Sequence, residues 1–182
     1  MFLPCALMKK SSDELRTQRA IDVLRAFGAP ITFVDLVDTD ETLSGAARRC
    51  GVIHMGTELG GAGTATPSAI AIGQQGLRRA LAHIGSLREP ESSKISETRL
   101  VAVGGPEYYV YSMEDGVFEP LVELGDEVEK GQPAGRIHFP ERAWQQPSVA
   151  TFQRSGMVLC KRIPGRTERG DCLFHLATDY VE

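Results

Sequence analysis

Two stretches in the second half of the chain carry glycines at nearly the same intervals. Gly116, Gly125 and Gly131 precede His138, and Gly156, Gly165 and Gly170 precede His175. The spacings are nine and six residues in the first copy, nine and five in the second. Between and around these glycines lie short β-type runs such as Leu100 to Val103, Tyr108 to Met113 and Met157 to Cys160, with no strong amphipathic helical period. Glycine reaches backbone conformations that cost other residues energy, so each is expected to mark a turn. Residues 99–182 therefore read as a β-rich domain built on an internal repeat.

The repeat resembles the barrel-sandwich hammerhead of lipoyl and biotinyl carrier domains, which implies a small all-β barrel-sandwich-like domain. A carrier needs a modifiable lysine at a hairpin tip between the two copies. The intervening stretch Phe139 to Phe152 contains no lysine. The carrier function is disfavoured on that ground, and the fold resemblance alone assigns no other.

The first half follows a different pattern. Ser11, Ser12 and Asp13 offer caps for a helix to about Ala26, with Leu15, Ile21, Leu24 and Phe27 as its apolar stripe and Gly28 and Pro30 as its stop. Ile31 to Val37 reads as a buried strand, Glu41 to Cys50 as a short helix and Val52 to Glu58 as a second strand. Thr66 caps a third helix with Pro67 in its first turn, and Ile70, Leu77, Leu81 and Ile84 fall close to one face. Strands alternating with helices predict an α/β layer with a largely parallel sheet over residues 1–90. The polar run from Ser86 to Glu97 reads as connecting chain, with the linker proper at 91–98.

Bulk properties narrow the function. The 182 residues are 42% hydrophobic and 24% charged, as in ordinary globular domains. A net charge of −4, with basic residues scattered in pairs such as Arg48-Arg49 and Arg78-Arg79, argues against a nucleic-acid partner. No apolar run is long enough to cross a bilayer. Cys5, Cys50, Cys160 and Cys172 show no short paired spacing, so reduced thiols and a cytoplasmic location are expected, without a cysteine zinc site.

Residues 56–64 read Gly-Thr-Glu-Leu-Gly-Gly-Ala-Gly-Thr. A glutamate at a strand end, followed by a glycine-rich turn into a helix, fits the place where α/β sheets bind ligands, outside the carboxyl ends of their strands. Thr57, Gly60, Gly61 and Gly63 would form a loop that lets backbone approach a substrate. No Gly-Lys-Ser/Thr follows, so it is not a phosphate loop. A solvent-facing glutamate on a flexible connection fits the pattern equally well.

This segment, together with Ala26-Phe27-Gly28-Ala29-Pro30, Ala71-Ile72-Gly73-Gln74-Gln75-Gly76-Leu77-Arg78, Leu81-Ala82-His83-Ile84-Gly85, Asp115-Gly116-Val117-Phe118-Glu119-Pro120 and Gly170-Asp171-Cys172, resembles the succinylglutamate desuccinylase/aspartoacylase family. The N-acetyl-diaminobutyrate deacetylases are the nearest subgroup. The resemblance implies a partial zinc-carboxypeptidase-like α/β domain and a zinc-dependent hydrolase of small N-acylated amino acids. Glu58 takes the position of the family's general base. Zinc would lower the pKa of a bound water, and the carboxylate would carry its proton to the leaving amine.

The family's zinc ligands, a His-x-x-Glu pair and a later His, fall upstream of Phe2-Leu3-Pro4-Cys5-Ala6-Leu7, so the chain is expected to supply no metal ligand. His138 and Glu141 match the His-x-x-Glu spacing, but in the β-rich repeat and across Pro140. His138 and His175 occupy matching repeat positions, which implies a shared structural role at strand ends. His54 and Glu58, four residues apart, could share a strand face. Absence of an upstream half would leave a sheet edge and apolar surface uncovered. Self-association, or a partner supplying the N-terminal half, is therefore expected. A non-catalytic fragment or assembly module is the alternative.

Overall fold

The computed structural model describes residues 1–37, 41–88 and 97–181. The chain divides into two compact units: an α/β unit of residues 3–103 with 179–182, and a β unit of residues 104–178 with 1–2.

In the α/β unit the elements run β1 (Cys5–Lys9), α1 (Glu14–Phe27), β2 (Ile31–Asp35), α2 (Leu43–Arg49), β3 (Gly56–Glu58), α3 (Pro67–His83) and β4 (Arg99–Val103). The strand order is β3-β1-β2-β4. β1 and β2 are parallel, as are β2 and β4, whereas β3 is antiparallel to β1. The strand expected from Val52 forms only over its last three residues. Thr98, at the end of the expected linker, is buried with its hydroxyl 3.0 Å from that of Thr32. Residues 91–96 of that linker lie outside the described residues.

Local chemistry sets the helix ends. The Asp13 carboxylate accepts from the Arg16 amide and Gly28, at φ 70°, closes α1 by donating to the Leu24 carbonyl. The Arg79 guanidinium also donates to the Ala26 and Phe27 carbonyls, which the last turn of α1 leaves unpaired. The Thr66 hydroxyl accepts from the Ala69 amide at the start of α3. Ile21, Leu24 and Phe27 are buried on α1, whereas Leu15 is 75% exposed, a departure from the expected stripe.

The face that α3 buries also differs from the expected one. Ala69, Gly76 and Ala80 turn inward, and Ile70, Leu77 and Ile84 are half-exposed or more. The small residues admit α1 at close range: a methyl group at Gly76 would sit 2.5 Å from the Phe27 ring. Ala80 joins Ile21, Leu24, Phe27, Met8 and Val34 in one cluster. Periodicity marks two stripes on this helix, and packing against α1 selects the smaller side chains.

The β unit contains β5 (Tyr109–Tyr111), β6 (Gly116–Pro120), β7 (Glu127–Val128), β8 (Pro133–His138), β9 (Ser148–Thr151), β10 (Gly156–Lys161), β11 (Arg166–Thr167) and β12 (Cys172–Asp179). One antiparallel sheet runs β5-β12-β10-β7 and a second β11-β6-β8-β9. Each repeat contributes a long, a short and a long strand, and the short strands are exchanged. β7 of the first copy pairs with β10 of the second, and β11 of the second pairs with β6 of the first. Phe118, Phe152 and Phe174 meet between the sheets, with ring centroids 5.5–5.6 Å apart.

Five of the six repeat glycines do two jobs, while Gly165 has neither a positive φ nor a neighbour within 4 Å of a Cβ. Gly125, Gly131 and Gly170 have φ between 84° and 92°, the turn role expected of them. Gly116 and Gly156 instead allow close approach, since a Cβ would lie 2.3 Å from the His138 carbonyl and 2.6 Å from that of Ala177.

Candidate functional site

Glu58 ends β3, opposite Cys5 at the start of β1. Because β3 runs antiparallel, this end of the strand lies at the amino ends of β1 and β2, not beyond their carboxyl ends. The alternation of strands and helices had implied the reverse, since it carries no information on strand direction once the crossover is not a standard right-handed unit. Thr57 is exposed and Glu58 half-buried. Among the described residues the Glu58 carboxylate has no hydrogen-bond or ion-pair partner, which leaves its oxygens available to a substrate or water.

The loop after Glu58 is built on left-handed backbone. Gly60 and Gly61 have φ of 113° and 109°, Ala62 57° and Gly63 71°. Ala62 is the one non-glycine residue among the described residues with positive φ. The Thr64 amide and hydroxyl both donate to the Gly61 carbonyl, at 3.1 and 2.8 Å, which closes the turn before Thr66 caps α3. No atom lies within 4 Å of a Cβ built at Gly60 or Gly63, so open space remains over the loop. Leu59 meets α3 at Gly73, where a Cβ would be 3.1 Å from its Cδ1.

The histidines do not join Glu58. His54 precedes β3 instead of sharing its strand face, and lines a cavity of about 30 Å³ with Lys9, Arg16 and Arg48. His138 bonds Glu119 across β6 and β8, its Nε2 2.6 Å from the carboxylate, with Arg136 also donating to Glu119. The His138 hydrogen bond, with smaller help from Arg136, holds the Glu119 carboxyl below its ordinary pKa. Glu141 lies apart in a short 3-10 turn, Pro140–Arg142. The Glu119 partner was legible only as an antiparallel register, not as a spacing.

His175 sits inside β12, not at a strand end, and stacks on Tyr109 at 4.3 Å between ring centroids. The shared strand-end role expected of the two histidines therefore holds for His138 alone. His83 is exposed in the last turn of α3. Burial pushes the Cys172 thiol up to about 11, with Cys160 adding to the rise, so it stays protonated and is a poor metal ligand.

No three His, Cys, Asp or Glu side chains among the described residues come close enough to hold a metal ion together. The described residues by themselves do not fit a zinc centre. None of the described helices is long and apolar enough to cross a membrane.

Comparison with known proteins agrees with this architecture. Residues 1–84 match the model of the succinylglutamate desuccinylase/aspartoacylase catalytic domain. The N-alpha-acetyl-L-2,4-diaminobutyric acid deacetylase of Halomonas elongata is 32% identical over 178 residues, which is 97% of this chain and 52% of that protein. A succinylglutamate desuccinylase/aspartoacylase from Rhodobacter sphaeroides superposes with a TM-score of 0.90 at 32% identity, covering 100% of this chain and 55% of the other. The product-bound ectoine utilization protein EutE (DoeB) from Ruegeria pomeroyi gives 0.90 at 29% identity, covering 97% and 54%. The chain spans about half the length of the relatives it matches. The chain is thus similar to proteins of the succinylglutamate desuccinylase/aspartoacylase family, and its residues 1–84 match the model of that family's catalytic domain.

Proposed function

We propose that this chain supplies the general base and the glycine-rich loop of an amide hydrolase acting on small N-acylated amino acids, with N-acetyl-diaminobutyrate as the first substrate to test. The carrying observation is the half-buried Glu58, without a protein partner among the described residues, beside a loop that leaves open space over Gly60 and Gly63. The match of residues 1–84 to the family's catalytic domain supports the same reading.

In this reading Glu58 accepts a proton from the attacking water as its oxygen bonds to the amide carbon. It returns that proton to the nitrogen as the carbon–nitrogen bond breaks, giving a carboxylic acid and a free amine. Thr57, Gly60, Gly61 and Gly63 line the approach of the acyl group. The metal chemistry of the family has no ligand set among the described residues, so its zinc would be held by residues outside them. A cytoplasmic location fits the reduced thiols.

The test is hydrolysis of N-acetyl-diaminobutyrate, with zinc present, by the chain alone and joined to the unmatched half of the Halomonas deacetylase. Glu58→Gln is expected to lower turnover by about 10²-fold or more. Turnover unchanged by Glu58→Gln would overturn the assignment.

A further inference from the structure

A cleft of about 610 Å³ opens in the β unit, among residues that the hydrolase reading does not use. It lies between the start of β6, the turn Pro140–Arg142 after β8, and β11. These parts are held firmly. Gly116 and Val117 pair with Thr167 and Arg166, and a Cβ at Gly116 would lie 2.3 Å from the His138 carbonyl. The Arg142 amide donates to the Phe139 carbonyl at 2.9 Å, which closes the turn. The volume is that of a small-molecule site, and walls fixed before binding spare a ligand the cost of ordering them.

Four charged side chains line the cleft, two of each sign: Asp115, Glu141, Arg142 and Arg166. The Glu141 carboxylate and the Arg142 guanidinium have no hydrogen-bond or ion-pair partner among the described residues. The Arg142 guanidinium lies over the Phe139 ring, 4.8 Å from its centroid. Stacking engages the face of the guanidinium and leaves the N–H groups at its edge able to donate. Asp115 Oδ1 accepts from the Arg169 amide at 2.7 Å, which leaves the other oxygen for a ligand. Arg166 meets Glu168 at 3.4 Å with both side chains exposed, a contact weak enough for a ligand to replace.

A purely anionic ligand would face two carboxylates here, and a purely cationic one two guanidinium groups. A small molecule with one charge of each sign satisfies both pairs. Val117 and Pro140 add apolar wall. We infer that this cleft binds a free aliphatic α-amino acid, with its carboxylate at Arg142 and Arg166, its ammonium at Asp115 and Glu141, and its side chain against Val117 and Pro140. Arg142 supplies the strongest contact, because a guanidinium edge matches a carboxylate with two parallel hydrogen bonds. The inference uses no residue of the candidate site at Glu58 and stands apart from the hydrolase reading.

The experiment titrates the 182-residue chain with L-leucine and follows its amide resonances by NMR. N-acetyl-L-leucine, which lacks the ammonium, and L-leucinamide, which lacks the carboxylate, are titrated in parallel. Saturable shifts are expected at Val117, Arg142 and Thr167, with leucine bound about tenfold or more tighter than either analogue. Arg142→Ala and Glu141→Gln, both at exposed positions, should each weaken leucine by about tenfold while the resonances of Phe152 and Phe174 stay in place. Glu141→Gln keeps the test decisive if loss of the Arg142 stack disturbs the turn. Equal binding of the three compounds, shifts that do not saturate, or shifts confined to residues outside the cleft would each overturn the proposal.

Discussion

The β unit and the α/β unit build their interiors in different ways. In the β unit each copy of the repeat lends its short strand to the other: β7 closes on β10, and β11 on β6. Its aromatic centre, Phe118, Phe152 and Phe174, is fully enclosed. In the α/β unit the three-residue β3 pairs with β1 alone among the described residues, as β7, β9 and β11 each pair with one strand, and α3 turns its larger aliphatic residues to solvent. The unit with a symmetric repeat gathers its large aromatic residues into one buried centre. The unit with the candidate base packs its helices through small residues and keeps an aliphatic stripe exposed.

Four measurements sharpen or break this contrast. The largest effect is expected from Phe174→Ala, which empties the centre of the β unit and should cost about 3–5 kcal/mol in denaturant unfolding. A loss under about 1 kcal/mol would mean that the exchanged short strands, not the aromatic centre, hold that unit together.

Acid comes next. Burial holds the His175 imidazole at about 4, below its ordinary value of 6.5. Between those values the unfolded chain takes up a proton that the folded chain refuses. Stability is therefore full above pH 6.5 and falls as pH drops towards 4, by up to about 3 kcal/mol. Unfolding midpoints at pH 7 and pH 4.5 should differ less in His175→Phe than in the parent chain. An identical pH slope in both proteins would show that this histidine does not drive the loss.

In the α/β unit, Gly76→Ala places a methyl group against the Phe27 ring and should cost about 1–3 kcal/mol, as overpacking does. A neutral result would show that α1 and α3 are loosely apposed, which would widen the contrast with the β unit. The smallest effect is Thr66→Ala. Removing the hydroxyl that caps α3 should cost about 1 kcal/mol and raise exchange in the first turn after the glycine loop, read residue by residue by NMR.

Much of this protein was written in local sequence. Asp13 and Thr66 cap helices because a short side-chain oxygen can reach the free amides of a first turn, and this needs no distant partner. Gly28 and the turn glycines Gly125, Gly131 and Gly170 adopt left-handed backbone for an equally local reason, the absence of a Cβ. The glycine loop after Glu58 belongs to the same class, but the role of general base was attached to Glu58 by resemblance to the family, because the loop pattern fits a solvent-facing glutamate equally well.

Tertiary structure alone decided the rest. Strand direction is not encoded in the pattern of apolar residues, so the antiparallel course of β3, and with it the end of the sheet where Glu58 stands, came from pairing with β1. The buried face of α3 was chosen by α1, whose Phe27 needs the hollow at Gly76, and not by the size of the side chains available. His138 and His175 look alike as repeat positions, yet one bonds a carboxylate at a strand end and the other is enclosed against Tyr109. Their difference depends on what lies across the sheet, and a linear spacing does not specify that neighbour.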